Sequence, residues 1–226
     1  MYYFEKIDFE KSKRCATFGG ALEDGFNCGR DLWREDLAEI FKLAAKFKHQ
    51  LFDDYSFLIG TKSTMQASFE CAMRMIEIIC EGGGDFYLIK CESGEIAGFW
   101  YLYDINYARF LRRGCEEFEG GEAKVPVSGC FAGCMKKKFW GADVRKIMKK
   151  VLDEIFEARK FRKIKCETFS TNPYIEGLLK KFNFRCEGIL KNETVSAGRA
   201  CDVKIWALER SNWEQNLYFE QFEGRF

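Results

Sequence analysis

The chain has 226 residues, 31% of them charged and 47% hydrophobic, and a formal net charge of +1. That length suits one sizeable domain of ordinary globular composition, and the near-neutral balance gives no electrostatic case for nucleic acid or an anionic membrane surface as partner. No apolar run approaches the ~20 residues of a membrane span, and Met1-Tyr2-Tyr3-Phe4-Glu5-Lys6 lacks the charged-then-apolar layout of a secretion signal. A cytoplasmic protein is therefore expected. The 23 Phe predict an aromatic-rich core, and the 11 Cys, an odd number, argue against a disulfide framework. With one His, at His49, neither a Cys/His zinc site nor a His-based triad has much to draw on. Free, mostly buried thiols and no bound metal are expected.

A short strand is predicted near Arg14 to Leu22, before and around the Gly19-Gly20 turn. Asp31 can cap a helix running to about His49, with Leu32, Trp33, Leu37, Ile40, Phe41, Ala44 and Ala45 on one face. His49 suits the end of that helix as a surface cap rather than a base. A second helix is predicted from about Ser63 to Cys80, stopped by Gly82-Gly83-Gly84. Asp85 to Cys91 and Glu95 to Asp104 alternate as two strands around a tight Ser93-Gly94 turn. Residues 109–124 are polar and read as a long loop. Val125 to Met135 reads as a strand, with Pro126 at its start and glycines that suggest a bulge or the close approach of a ligand.

The stretch from Lys136 to Gly188 is the most informative. Three lysines, Lys136-Lys137-Lys138, lead through Phe139-Trp140-Gly141-Ala142-Asp143 into the clearest helix of the chain. Val144, Ile147, Met148, Val151, Leu152, Ile155 and Phe156 form its apolar stripe, opposite Arg145, Lys146, Lys149, Lys150, Asp153 and Glu157. A helix start offers unpaired N–H groups and the positive end of a dipole, so it is a ready anion site, and Gly141 leaves room for close approach. Asp143 would repel an anion there and is expected to cap its own helix. Lys163 to Phe169 then reads as a strand, Asn172 as its polar exit, Pro173 to Lys181 as a helix, and Phe184 to Leu190 with Ala200 to Glu209 as a closing antiparallel pair. Asn183 suits a left-handed backbone position.

The order basic residue, Phe139, Trp140, Gly141, Ala142, helix, strand, Asn172, helix, Asn183-Phe184, Glu187-Gly188 resembles the core of the GNAT superfamily of acyl-CoA-dependent N-acyltransferases. Ala97-Gly98-Phe99 also matches, and the Phe-Trp-Gly and Glu-Gly details look most like the branch with the ribosomal-protein N-terminal acetyltransferases and related phage proteins. The resemblance implies one GNAT-like α/β (α+β mixed) domain over 1–226: a mixed, mostly antiparallel central sheet with helices on both faces. Within it, 1–84 would hold an N-terminal strand and acceptor-side helices, 85–213 the sheet and acyl-CoA core, and 214–226 a tail.

The implied activity is transfer of an acetyl or other acyl group from acetyl-CoA to a primary amine of a small molecule or a protein N-terminus, by a monomer or homodimer. The alternative is a catalytically silent module that binds coenzyme A or a protein partner. The turn at Lys136, Lys138, Phe139, Trp140, Gly141, Ala142, Asp143 and Val144 would hold the pyrophosphate. Backbone groups of Gly133, Cys134 and Met135, with Asn172, would take the pantetheine arm or the acceptor, one of them polarising the thioester carbonyl. The Tyr that protonates the leaving thiolate in many GNAT enzymes is matched here by Leu179, so Tyr174 is the substitute acid and Asp104 the available carboxylate. Cys134 invites an acyl-enzyme reading but has no His partner.

Overall fold

The structure is a computed structural model that describes residues 1–7, 39–40, 42–47, 51, 79, 83–110 and 123–215. The expected strand near Arg14, His49, nearly all of the helix from Ser63, and residues 216–226 lie outside the described residues, as does most of the expected loop. Strands β1 (Tyr2–Lys6), β2 (Asp85–Cys91), β3 (Ile96–Phe110) and β4 (Ala123–Met135) precede helix α1 (Ala142–Asp153). Then follow β5 (Lys163–Phe169), helix α2 (Pro173–Lys181), β6 (Arg185–Ser196) and β7 (Arg199–Glu209). They build one seven-stranded sheet in the order β1-β2-β3-β4-β5-β7-β6. Every neighbouring pair is antiparallel except β4 and β5. No helix among the described residues is long and apolar enough to cross a membrane.

Period-two alternation places a core on each face. Along β2, Tyr87 and Ile89 pack with Ile147, Met148, Val151 and Leu152 of α1. Phe86 and Leu88 pack on the other face against Ile40, Leu43 and Phe47 of the helical residues in the 39–47 stretch. Helices therefore cover both faces, as expected. The stripe read from the sequence is the buried face of α1; each such side chain contributes roughly 1.5–3 kcal/mol on burial. The helix continues past Asp153 into a π-helical turn, Glu154–Ala158, which buries Ile155 and Phe156.

Four elements differ from the expectation, the first being β1, since no strand was expected at Tyr2–Lys6. β3 and β4 pair on to Phe110 and Ala123, into the stretch expected to be a loop, because backbone pairing across the hairpin outweighs its polar side chains. β6 runs to Ser196 and joins β7 through Ala197 (φ 53°) and Gly198 (φ 72°), a two-residue turn with both residues left-handed. The bulge between Leu190 and Thr194 breaks the alternation that would have marked this strand. Asn183 does take the left-handed conformation, φ 59°. It ends α2 in a Schellman motif: the amides of Phe184 and Asn183 donate to the carbonyls of Leu179 and Lys180.

Candidate active site

The site begins where β4 and β5, the only parallel neighbours among the described strands, separate. β4 and β5 pair at Ser128–Lys163, Gly129–Ile164 and Cys130–Lys165, and no further. Beyond Cys130, β4 continues on β3 alone as far as Met135, while β5 continues on β7 alone as far as Phe169. The strands part into a cleft whose walls present backbone groups with no described strand opposite. The glycines explain which way β4 goes. A Cβ at Gly98 would lie 2.2 Å from the Cys134 carbonyl oxygen, and one at Gly133 would lie 2.8 Å from that of Phe99. Both positions require Gly so that the end of β4 can press onto β3, away from β5. The close approach read into Gly133 is thus filled by β3 itself.

At the mouth, β4 leads through Lys136 and a 3₁₀ turn, Lys137–Phe139, to Gly141 and α1. Gly141 has φ 89° and ψ −120°, a conformation nearly closed to L side chains, and a Cβ there would meet nothing within 4 Å. The residue is required for its backbone shape, and the space before it is open. No side chain caps α1. Asp143, expected as that cap, instead hydrogen-bonds the Tyr2 hydroxyl on β1; burial and this carboxylate raise the Tyr2 pKa. With its carboxylate turned to β1, Asp143 leaves the first-turn amides of Ala142, Asp143 and Val144 without a side-chain acceptor among the described residues.

The lysines ahead of the turn are partly committed. Lys136 lies 3.0 Å from Glu39 and 3.6 Å from Glu95, and Lys138 pairs with Glu95. Lys42 and Lys136 hold the Glu39 carboxyl below its ordinary range. The Lys136 pair with Glu39 also ties the turn to the helical residues on the opposite face. Lys137 sits 5.8 Å over the Trp140 ring. Trp140 donates its indole N–H to the Met135 carbonyl at 3.2 Å, so that carbonyl is already engaged. Phe139 packs edge-on against Tyr2.

The other flank of the mouth is the start of α2. Asn172 precedes it at φ −119° and makes no side-chain cap, so the plain capping role open to it in sequence is not the one it plays. Tyr174 is 78% exposed and its ring lies 6.4 Å from that of Trp140, at the mouth rather than deep in the cleft. Leu179 is buried in the core.

A polar group gathers at the apex, where β4 and β5 part. Asp104 sits at φ 49° in a register shift of β3, with Oδ2 3.8 Å from the Cys130 thiol and 4.0 Å from Lys165 Nζ. Tyr103 is the strand partner of Cys130. Burial above all, then the neighbouring Tyr101, Cys130 and Glu167, pushes its phenol well above the ordinary range. Register places it at the apex: Tyr103 pairs with Cys130, and Cys130 pairs with Lys165 on β5, two residues before Glu167. Sequence reasoning found Asp104 but missed Tyr103 and Glu167, whose meeting depends on strand order. Burial pushes the Cys134 thiol up to about 12, so it stays protonated near neutrality and is no nucleophile. The described cysteines, Cys91, Cys130, Cys134, Cys166, Cys186 and Cys201, are free thiols.

No family model matches the sequence, and no curated protein matches it. Solved structures do. Spermidine N-acetyltransferase from Vibrio cholerae, in complex with CoA and spermine, matches with a TM-score of 0.60 at 17% identity over 94% of this chain and 98% of that one. Mutant forms of the spermidine/spermine N-acetyltransferase SpeG from the same organism match with a TM-score of 0.60 at 18% identity, over 95% and 97%. The sheet that parts between β4 and β5, with a helix start at its mouth, is the fold of the GNAT N-acetyltransferases.

Proposed function

We propose that this protein transfers an acetyl group from acetyl-CoA to a primary amine of a small molecule. The observation that carries the reading is the cleft itself: two strands part, expose unpaired backbone along an extended path, and end at an uncapped helix start behind Gly141. An extended pantetheine arm matches the first feature, and a pyrophosphate the second. The amides of Ala142, Asp143 and Val144 take the phosphates. Gly133 and Cys134, with Asn172, line the arm. Coenzyme A bound to the Vibrio cholerae structure of this fold supports the same ligand.

At the apex the amine nitrogen attacks the thioester carbonyl carbon. The carbon–nitrogen bond forms as the carbon–sulfur bond breaks. Asp104 takes a proton from the incoming ammonium and so frees the neutral nitrogen to attack; Tyr103, kept protonated by burial, gives its proton to the departing thiolate and recovers one from the newly acylated nitrogen. Asp104 and Glu167 present negative charge to a cationic amine, tempered by Lys165. The neighbour's spermine supports a small amine over a protein N-terminus as acceptor. The resemblance to the ribosomal-protein branch then reflects a shared cofactor turn rather than a shared acceptor.

The test is an acetylation assay with acetyl-CoA against diamines, polyamines, monoamines and peptides with free N-termini, read by thiol release and product mass. Turnover of the small amines above the peptides is expected. Binding of acetyl-CoA with no turnover of any amine returns the protein to the silent coenzyme A module.

A further inference from the structure

Two aromatic rings stand at the mouth, one on each flank: Trp140, in the turn before α1, and Tyr174, which the chemistry proposed above does not use. Trp140 is 45% exposed and follows β4; Tyr174 is 78% exposed and follows β5. Their centroids are 6.4 Å apart with planes tilted by 42°. Exposing two large rings beside each other is unfavourable unless something covers them. Trp140 is firmly placed: its indole N–H is held by the Met135 carbonyl, and the buried Phe47 ring lies 6.2 Å away. Tyr174, on the first turn of α2, has the freer side chain. A planar heterocycle between two rings needs centroids roughly 7 Å apart, twice a van der Waals contact. At 6.4 Å and a 42° tilt the two rings are too close to hold a ring between them as they stand, so a purine enters by an outward move of the exposed Tyr174 side chain and a turn of its ring.

We propose that Trp140 and Tyr174 form a purine-binding slot, which takes the adenine ring of the coenzyme and so distinguishes a nucleotide-bearing acyl donor from a bare acyl-phosphopantetheine. This rests on the acyl-CoA reading above and extends it to the half of the ligand outside the cleft. The arm running along the cleft delivers the nucleotide to its mouth, where the two rings stand. Lys137, 5.8 Å over the Trp140 ring, supplies the positive charge for a phosphate carried beside the purine. Stacking tolerates any purine orientation, so the slot selects for the presence of a base more than for its hydrogen-bonding edge.

The test is calorimetric titration of the whole protein with coenzyme A, dephospho-coenzyme A and 4′-phosphopantetheine. Wild type should bind coenzyme A at least about tenfold more tightly than 4′-phosphopantetheine, since base–aromatic stacking gives ~5- to 150-fold per base. Dephospho-coenzyme A should keep most of that advantage. Tyr174→Ala and Trp140→Ala should each lower coenzyme A affinity by about fivefold or more while leaving 4′-phosphopantetheine within about twofold. Tyr174→Phe should behave as wild type. Tyr174→Ala alone suffices if the tryptophan variant misfolds, because Tyr174 is a surface side chain. Equal wild-type affinity for coenzyme A and 4′-phosphopantetheine overturns the slot, as does an equal loss of both ligands in Tyr174→Ala. In either case the acyl-CoA reading survives. A wild type that binds none of the three ligands overturns that reading and the slot with it.

Discussion

The two helices that flank the cleft begin in comparable places, each directly after one of the two strands that part, and neither has a side-chain cap. Their first turns nevertheless differ in what they leave for a ligand. α2 starts with Pro173, which has no N–H to give, and carries Glu176, bonded at 2.5 Å to Lys204, in its first turn. Its dipole is already answered by its own carboxylate. α1 starts behind Gly141, keeps the amides of Ala142, Asp143 and Val144, and sends its one early acid away to Tyr2. Two helix starts in one fold are therefore not two anion sites. Which one binds is decided by a glycine, a proline and the direction in which one carboxylate points.

The strongest way to break this contrast is Gly141→Val. No neighbour blocks a side chain there, so the damage comes through the backbone. A β-branched residue at φ 89° forces the turn to rearrange and carries the helix-start amides with it. Charge-assisted bonds contribute roughly 1.5–3 kcal/mol each, so losing two should weaken coenzyme A binding by about two to four decades. The protein should still melt cooperatively, at a lower temperature. Pro173→Ala at the other helix start should change binding by less than about twofold, because that turn was never the anion site. Calorimetric titration beside a melting curve checks both variants.

A second variant separates mouth from apex. Tyr103→Phe should lower turnover by about a hundredfold or more with coenzyme A affinity unchanged, the signature of a proton donor used in the transition state. If turnover persists, the donor is another group and Tyr103 only packs.

Alkali tests the walls rather than the mouth. Burial pushes the Cys130 and Cys134 thiols up to about 11 and about 12, above their ordinary value of 9.0. The folded state thus holds those protons more tightly than the unfolded chain. The contribution is complete below pH 9 and is lost as pH rises through 11 and 12. The melting temperature should fall from about pH 9 upward, and Cys134→Ala should flatten that fall; a wild-type slope that the variant keeps unchanged would place the thiol in water.

Much of this was legible in sequence because it is local. The α1 stripe, the Gly141 turn, and Asn183 as a left-handed helix end are all set by residues a few positions apart. What was not legible depends on which strands lie side by side. Tyr103, Cys130 and Glu167 come together across β3, β4 and β5, and nothing in their spacing announces it. Trp140 and Tyr174 meet because two parting strands each end in a helix start. Gly133 read as the glycine of a bulge or a ligand path, yet it and Gly98 serve strand–strand contact, a distinction visible only once the facing carbonyls are located. Asp143 read as a cap because its partner, Tyr2, lies at the far end of the chain.

The central claim is that a coenzyme A pyrophosphate sits on the start of α1. Amide nitrogen–proton correlation spectra of the labelled protein, recorded through a titration with coenzyme A, test it most directly. The account predicts that the amides of Gly141, Ala142, Asp143 and Val144 shift in step with binding and that Gly141→Val loses both the shifts and the binding. Saturable binding that leaves those four amides in place would contradict it.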